Sequence, residues 1–203
     1  MTPGRKRAFD KAEALDRAMR LFWNNGYGGT SITDLTEALG INKPSLYAAI
    51  GNKEQLFEAA LEHYASRYGA PLMERLTTPD DAPLEERLRS YLLGIVELVS
   101  DKNAPKGCLL VKTSCESGGH SFPDEVSSSV EKMGLATEHA LTKFLKNELK
   151  RGQLPRSANP QGLAVYLLSI IYGLSVLARR GKSRSEFRTV IDLAIGALPV
   201  ERS

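Results

Sequence analysis

The stretch TSITDLTEALGINKPSLYAAIGNK, residues 30–53, decides the fold of this chain. Ser31 is followed three residues later by Asp34, a spacing that caps a helix N-terminus and predicts that a helix begins there. Gly40 predicts the end of that helix, because glycine takes the left-handed C-terminal conformation without steric cost. Asn42 then predicts the cap of a second helix. The first turn of this second helix contains a proline, which is tolerated where no backbone N–H is needed.

Two short helices joined by a tight turn with glycine are typical of the helix-turn-helix that reads DNA. Apolar residues of the stretch are expected to hold the pair together: Ile32, Leu35, Leu39, Ile41 and Leu46. Basic, hydroxyl and small side chains are left on the outer side: Lys43, Ser45, Tyr47 and Ala48. The pattern therefore predicts a DNA-reading motif over residues 31–50.

At this motif the sequence resembles the TetR family of transcriptional repressors, over roughly the first third of the chain. The resemblance rests on residues in the family's order and spacing: Phe22, Gly26, Tyr27, Thr30, Ser31, Leu35, Leu39, Gly40, Ile41, Leu46, Tyr47, Lys53 and Leu56. Three positions differ from the family pattern. Pro44 replaces a usual glycine, Ala49 a histidine or tyrosine, and Ile50 a phenylalanine. Beyond the motif, only the helical layout is similar.

The resemblance implies a homodimer that binds a palindromic operator in double-stranded DNA and leaves it when a small-molecule effector enters the helical body. Hydroxyls and N–H groups at helix N-termini suit phosphates, and a lysine at position 43 can reach a guanine edge. The predicted DNA contacts are Thr30, Ser31, Lys43, Ser45, Tyr47, Asn52 and Lys53.

The length and composition of the whole sequence limit what the protein can be. Its 203 residues make one large domain or two small ones, and its formal charge of +3 is too small to predict nucleic-acid binding by itself. Two cysteines do not form a disulfide framework, which fits a reducing cytoplasm. The apolar run at residues 163–178 contains polar residues and is shorter than the ~20 residues of a membrane span. We therefore expect a cytoplasmic protein with no membrane partner.

Apolar residues that recur every three or four positions predict helices along the rest of the chain. These segments are residues 5–25, 52–68, 84–100, 108–116, 126–149, 160–180 and 186–198. Residues 108–116 fit a helix or a strand, and their helical surroundings favour the helix. Gly69-Ala70-Pro71 predicts a break. The predicted fold class is all-α with about nine helices: a three-helix head at residues 8–68 and a helical effector-binding and dimerisation body at residues 69–203.

Enzyme motifs are missing from the sequence. It has no Gly-rich phosphate loop followed by Lys-Ser/Thr, no G-x-S-x-G and no H-E-x-x-H. We therefore predict neither enzyme activity nor a cofactor, with a helical enzyme bearing this head as the remote alternative. Cys108, Cys115 and His120 fall within a short stretch but match no standard zinc spacing, so no metal site is predicted.

A sensor at Cys108 is the nearer alternative. Family members that begin this helix with Gly-Cys-Leu include sensors of metals and of electrophiles. Cys108 follows Lys106 at a predicted helix N-terminus, where the helix dipole and a nearby cation lower a thiol pKa. The alternative is that Cys108 is a small buried apolar residue, as free cysteine usually is. The candidates for an effector pocket or sensor are Tyr64, Tyr91, Cys108, Cys115, His120, Met133 and Phe144.

The apolar run at residues 163–178 also predicts the dimer interface. A helix that is apolar nearly all round must be buried on more than one side. A second copy of the chain would cover the side that its own body leaves open, and residues 187–198 would belong to the same interface. The predicted interface residues are Leu167, Ile171, Leu174, Phe187, Ile191 and Ala194. A basic run follows this helix and is predicted to be a solvated loop: Arg179, Arg180, Lys182, Arg184 and Arg188.

Overall fold

A computed structural model describes residues 11–78, 81–117 and 122–200, and every regular element in these ranges is a helix. The helices are α1 (Lys11–Asn25), α2 (Ile32–Leu39), α3 (Lys43–Ala49), α4 (an α-helical part Lys53–Tyr64, a π-helical turn Ala65–Gly69 and a second α-helical part Ala70–Thr77), α5 (Leu84–Val99), α6 (Leu109–Glu116), α7 (Asp124–Lys150), α8 (Pro160–Arg179) and α9 (Arg184–Gly196). The predicted all-α class is confirmed.

The ends of α2 and α3 have the predicted caps. The Asp34 N–H donates to Ser31 Oγ at 3.1 Å, and the Ser31 N–H donates to the Asp34 carboxylate at 2.7 Å. Gly40 has a φ of +67° at the C-terminus of α2, a value that glycine adopts without strain. The Ser45 N–H donates to Asn42 Oδ1 at 2.9 Å. These local contacts fix the angle at which α3 leaves α2.

The core of the head lies between α1, α2 and α4. The Phe57 ring makes edge contacts with Phe22 and Tyr27 at centroid distances of 5.1 and 5.3 Å. The same buried cluster includes Leu109 of α6 and Val126 of α7. The head therefore shares its core with two helices that the sequence assigned to the body.

The course of α4 corrects the predicted helix break. α4 does not end at Gly69-Ala70-Pro71, because the Ala70 N–H donates to the Ala65 carbonyl in a π-helical turn and the helix continues to Thr77. A proline crowds the turn before it and lacks an N–H. The π-turn widens that preceding turn by one residue, so the helix passes Pro71 without ending. The predicted boundary between residues 68 and 69 thus falls inside α4.

The core of the body lies between α5, α7, α8 and α9. In the part of the chain that the structure describes, α8 alone is long and apolar enough to cross a membrane by length and composition. Its 20 residues exceed the run expected from the sequence. Leu167, Ile171 and Leu174 face the core of this chain, which accounts for much of the apolar character of α8.

A buried ion pair joins α5 to α7. Arg87 pairs with Glu148, and their side chains are 2% and 3% exposed. The guanidinium also donates to the carbonyls of Leu76 and Ala82, each at 3.0 Å. Arg87 therefore fixes the C-terminus of α4 and the following loop against the body.

Candidate nucleic-acid interface

The outer face of α3 is uncovered. Leu46 is the buried residue of this helix, while Lys43 and Ser45 in its first turn are exposed. Tyr47 is a large apolar side chain that is 50% exposed. Lys43 makes no ion pair within the described residues. A short helix with an unpaired cation, a hydroxyl and an uncovered ring suits contact with a DNA groove.

Two further predicted DNA contacts lie at exposed helix N-termini. Ser31 caps α2, and Asn52 caps α4 by accepting from the Gln55 N–H at 2.8 Å. Both residues are exposed. Their N-terminal turns have unpaired N–H groups of the kind that bind phosphate.

Thr30 is in a different environment. Its side chain is 1% exposed and its hydroxyl donates to the Gly26 carbonyl at 2.7 Å. The predicted role for Thr30 in DNA binding is therefore corrected, because the hydroxyl closes the turn between α1 and α2.

Lys53 is also engaged inside the head. Its ammonium lies 3.9 Å from the centroid of the Tyr27 ring, and partial burial lowers the pKa of Lys53. Tyr27 in turn donates its hydroxyl to Glu54 at 2.5 Å. A phosphate contact by Lys53 stays a prediction, and it competes with this cation–π contact.

α6 attaches the head to the body through residues that the sequence did not single out for this role. The Glu116 carboxylate accepts from the N–H groups of Tyr27 at 3.0 Å and Gly28 at 3.4 Å. Lys112 Nζ donates to the Asn24 carbonyl at 2.5 Å. A Cβ at Gly26 would lie 1.8 Å from Glu116 Oε1, so a side chain there would displace the carboxylate. These contacts span nearly 90 residues of sequence, and no local pattern predicts them.

Cys108 occupies the N-cap position of α6, but its thiol accepts no capping hydrogen bond. Burial raises the pKa of Cys108, outweighing the opposite influence of the Tyr64 hydroxyl and of the N–H groups at the start of α6. The Cys108 N–H donates to Ser175 Oγ at 2.8 Å. The expected lowering of the thiol pKa is therefore wrong, because desolvation exceeds the effect of the helix N-terminus.

Of the other predicted pocket residues that the structure describes, two lie near Cys108 and the rest do not join them. Tyr64 and Tyr91 are buried and interact with Cys108, whereas Cys115 is exposed. Phe144 lies under the Arg87 guanidinium and Met133 packs against the separate core of the head. His120 lies outside the described residues. Among the residues described, no three His, Cys, Asp or Glu side chains are grouped to hold a metal ion.

The six predicted interface residues lie inside the protomer. They all belong to buried clusters or buried helix faces of this chain, and Leu174 is 0% exposed. They therefore cannot contact a partner without unpacking the core, which corrects that prediction. The exposed apolar residues of the same two helices are Val165 and Val176 on α8 and Leu193, at 71% exposure, on α9.

Comparisons with known proteins show which family has this arrangement of helices. Residues 14–60 match the family described as bacterial regulatory proteins of the tetR family, and residues 85–193 match the tetracyclin repressor-like C-terminal domain. The HTH-type transcriptional repressor ComR of Escherichia coli K12 is 33% identical, with 97% of this chain and 92% of ComR aligned. The HTH-type transcriptional repressor BdcR of the same organism is 30% identical, with 89% of this chain and 85% of BdcR aligned.

Solved structures of similar chains belong to the same family. A cysteine mutant of the TetR family regulator CifR, complexed with 26-bp double-strand operator DNA, is 33% identical with a TM-score of 0.87, covering 97% of this chain and all of that one. A putative TetR regulator from Rhodococcus sp. RHA1 is 36% identical with a TM-score of 0.61, covering 94% of this chain.

An uncovered helix-turn-helix on a helical body defines a DNA-binding transcriptional regulator. The chain belongs to the TetR family of bacterial regulatory proteins. The predicted function, a DNA-binding repressor, is confirmed at this level. Proteins of this family bind double-stranded DNA as dimers. The relatives compared are regulators of transcription.

Proposed function

We propose that this chain represses transcription by binding a palindromic operator as a homodimer, and that a small organic effector releases it. The observation that carries the proposal is the uncovered face of α3, on which Lys43, Ser45 and Tyr47 are exposed together. In this proposal α3 lies in the major groove, where Lys43 reads a base edge and the hydroxyls bind phosphates.

The dimer interface is formed by the outer stripe of α8. Val165, Ser169 and Val176 are exposed at positions that share one helix face. α9 contacts α8 where the Tyr166 hydroxyl donates to the Ala194 carbonyl at 3.2 Å, and Leu193 beside Ala194 is exposed. Exposed apolar side chains on two adjacent helices favour an isologous contact with the same helices of a second copy. The contact places two heads on one duplex.

Effector release follows from the links between body and head. A ligand that binds the body changes operator affinity only if it prefers one arrangement of the two heads. α6 supplies a rigid connection, since Glu116 binds the α1–α2 turn and Cys108 binds Ser175 of α8. The protein has no enzyme activity in this proposal and acts in the cytoplasm, where its operator lies.

Footprinting on the DNA upstream of the chain's own coding sequence tests this function. We expect two protected half-sites with dyad symmetry, with centres 10–10.5 bp or a multiple of that apart, because two recognition helices must enter successive turns of the groove. A duplex with one half-site scrambled is the control and should bind much more weakly. Protection of a single site without symmetry, or equal binding to the scrambled duplex, would contradict the proposal.

A further inference from the structure

A cleft of about 910 Å³ opens between the second half of α4, the C-terminal half of α5 and the start of α9. Leu72, Leu93 and Phe187 give it an apolar floor. Six cations line it, and they are Arg67, Arg75, Lys102, Lys182, Arg184 and Arg188. The acids among its lining residues are Glu97 and Asp101. An apolar floor beneath a cationic rim is complementary to an organic anion that carries an apolar body.

Part of this positive charge is available to a ligand. Arg75 pairs with Glu97 at 2.9 Å, and Lys182 pairs with Glu186 at 2.7 Å. Lys102, Arg184 and Arg188 form no ion pair with any residue that the structure describes. The basic run that the sequence predicted to be a solvated loop is thus divided: Arg184 and Arg188 line the cleft, while Arg179 and Arg180 lie outside it.

Ser100 supplies a hydrogen-bonding group at the same place. It lines the cleft, and its hydroxyl oxygen is shielded from solvent with no hydrogen-bond partner among the described residues. A buried hydroxyl of this kind is uncommon in folded proteins, where most such groups are paired.

The cleft is also connected to the head. Arg67 belongs to the π-helical turn of α4 and pairs with Asp16 of α1 at 2.7 Å. Arg20 of α1 pairs with the same carboxylate at 3.0 Å and donates to the carbonyl of Asn103, another cleft residue, at 3.2 Å. π-helical turns often occur at functional sites, since their hydrogen bonds can shift by one residue.

We propose that this cleft binds an organic anion with an apolar body, and that the bound anion draws Arg67 away from Asp16 and so lowers operator affinity. The ligand's charged group lies among Arg67, Arg184 and Arg188, and its apolar body covers the apolar floor. The effect on DNA rests on the proposed function. It passes through α1, whose position against α4 depends on the pairing of Asp16.

Binding is tested with 8-anilinonaphthalene-1-sulfonate and with N-phenyl-1-naphthylamine, which has the same aromatic body without the sulfonate. The sulfonate should bind the Arg184→Gln/Arg188→Gln variant at least about threefold more weakly than wild type, because two exposed charge contacts are lost. The matched Arg179→Gln/Arg180→Gln variant, which removes the same charge outside the cleft, should bind it like wild type. Equal weakening in both variants, or unchanged binding in the first, would overturn the proposal.

Coupling is tested by operator titrations with and without the sulfonate probe. Wild type should lose operator affinity when the probe is present. The Arg67→Gln variant should still bind the probe through Arg184 and Arg188, but its operator affinity should no longer respond. If wild type binds its operator and the probe has no effect on that affinity, the inference about the cleft is wrong and the proposed function stands. If wild type binds no operator without the probe, the proposed function itself fails.

Discussion

Single residues of the head divide into those available to DNA and those engaged by the protein. Lys43→Ala should cost ~1–3 kcal/mol of operator binding and relax the preference at one base pair, because Lys43 is exposed and unpaired. Lys53→Ala should change base preference little, since its ammonium lies on the Tyr27 ring, and should lower folding stability by ~0.5–1 kcal/mol. Anisotropy titrations with single-base operator variants and thermal unfolding measure the two effects. Relaxed base preference in Lys53→Ala and not in Lys43→Ala would reverse these assignments.

The two cysteines should differ in reactivity. Burial raises the pKa of Cys108, so less thiolate is present at neutral pH, and the thiolate fraction falls about tenfold for each unit of pKa increase. Cys115 is exposed. In native protein at pH 7.5, N-ethylmaleimide should therefore label Cys115 first and Cys108 slowly, and raising the pH should speed Cys108 labelling. Mass spectrometry of timed samples reads this order, with urea-unfolded protein as the control. Faster labelling of Cys108 would restore the thiol-sensing alternative.

At the scale of elements, what the sequence could predict depended on distance along the chain. The caps at Ser31, Gly40 and Asn42 involve residues within a few positions, so their identities and spacing were sufficient. The passage of α4 through Pro71 depends on a π-turn that no apolar pattern reveals. Similarly, the pattern showed that α8 is buried on several sides but not which side faces its own core.

The buried pair of Arg87 and Glu148 was missed for the same reason, because charged residues are normally exposed. Arg87→Met should lower the free energy of unfolding by ~3–5 kcal/mol, since it removes the close buried partner of the Glu148 carboxylate and leaves the more exposed Arg151 at 3.4 Å. The Arg87→Met/Glu148→Leu double variant should recover part of this loss, although the carbonyls of Leu76 and Ala82 stay unpaired. Urea unfolding at one fixed protein concentration measures both. A double variant less stable than the single one would contradict this account of the pair.

For the whole molecule, the proposed dimer contact is the exposed surface on α8 and α9 that includes Val165, Val176 and Leu193. The Val176→Glu/Leu193→Glu variant should be monomeric at micromolar concentration, because two charges per protomer enter the contact. Leu135→Glu on α7, a residue of comparable exposure to Val176 but off the stripe, is the control and should stay dimeric. Leu174→Glu should instead destabilise the fold, since Leu174 is fully buried. Sedimentation velocity separates these outcomes, and a monomeric wild type would contradict the interface.

The central claim is that the uncovered face of α3 binds the operator, and operator affinity of the Lys43→Ala/Tyr47→Ala variant tests it most directly. Both side chains are exposed and Leu46 is untouched, so the variant should unfold like wild type. Lys146→Ala/Leu135→Ala, with similar exposed side chains on α7, is the matched control. The α3 variant should bind the upstream operator at least about 30-fold more weakly, since each of the two lost contacts costs ~1–3 kcal/mol. The control variant should bind it like wild type. A folded α3 variant that binds the operator as tightly as wild type would contradict the claim.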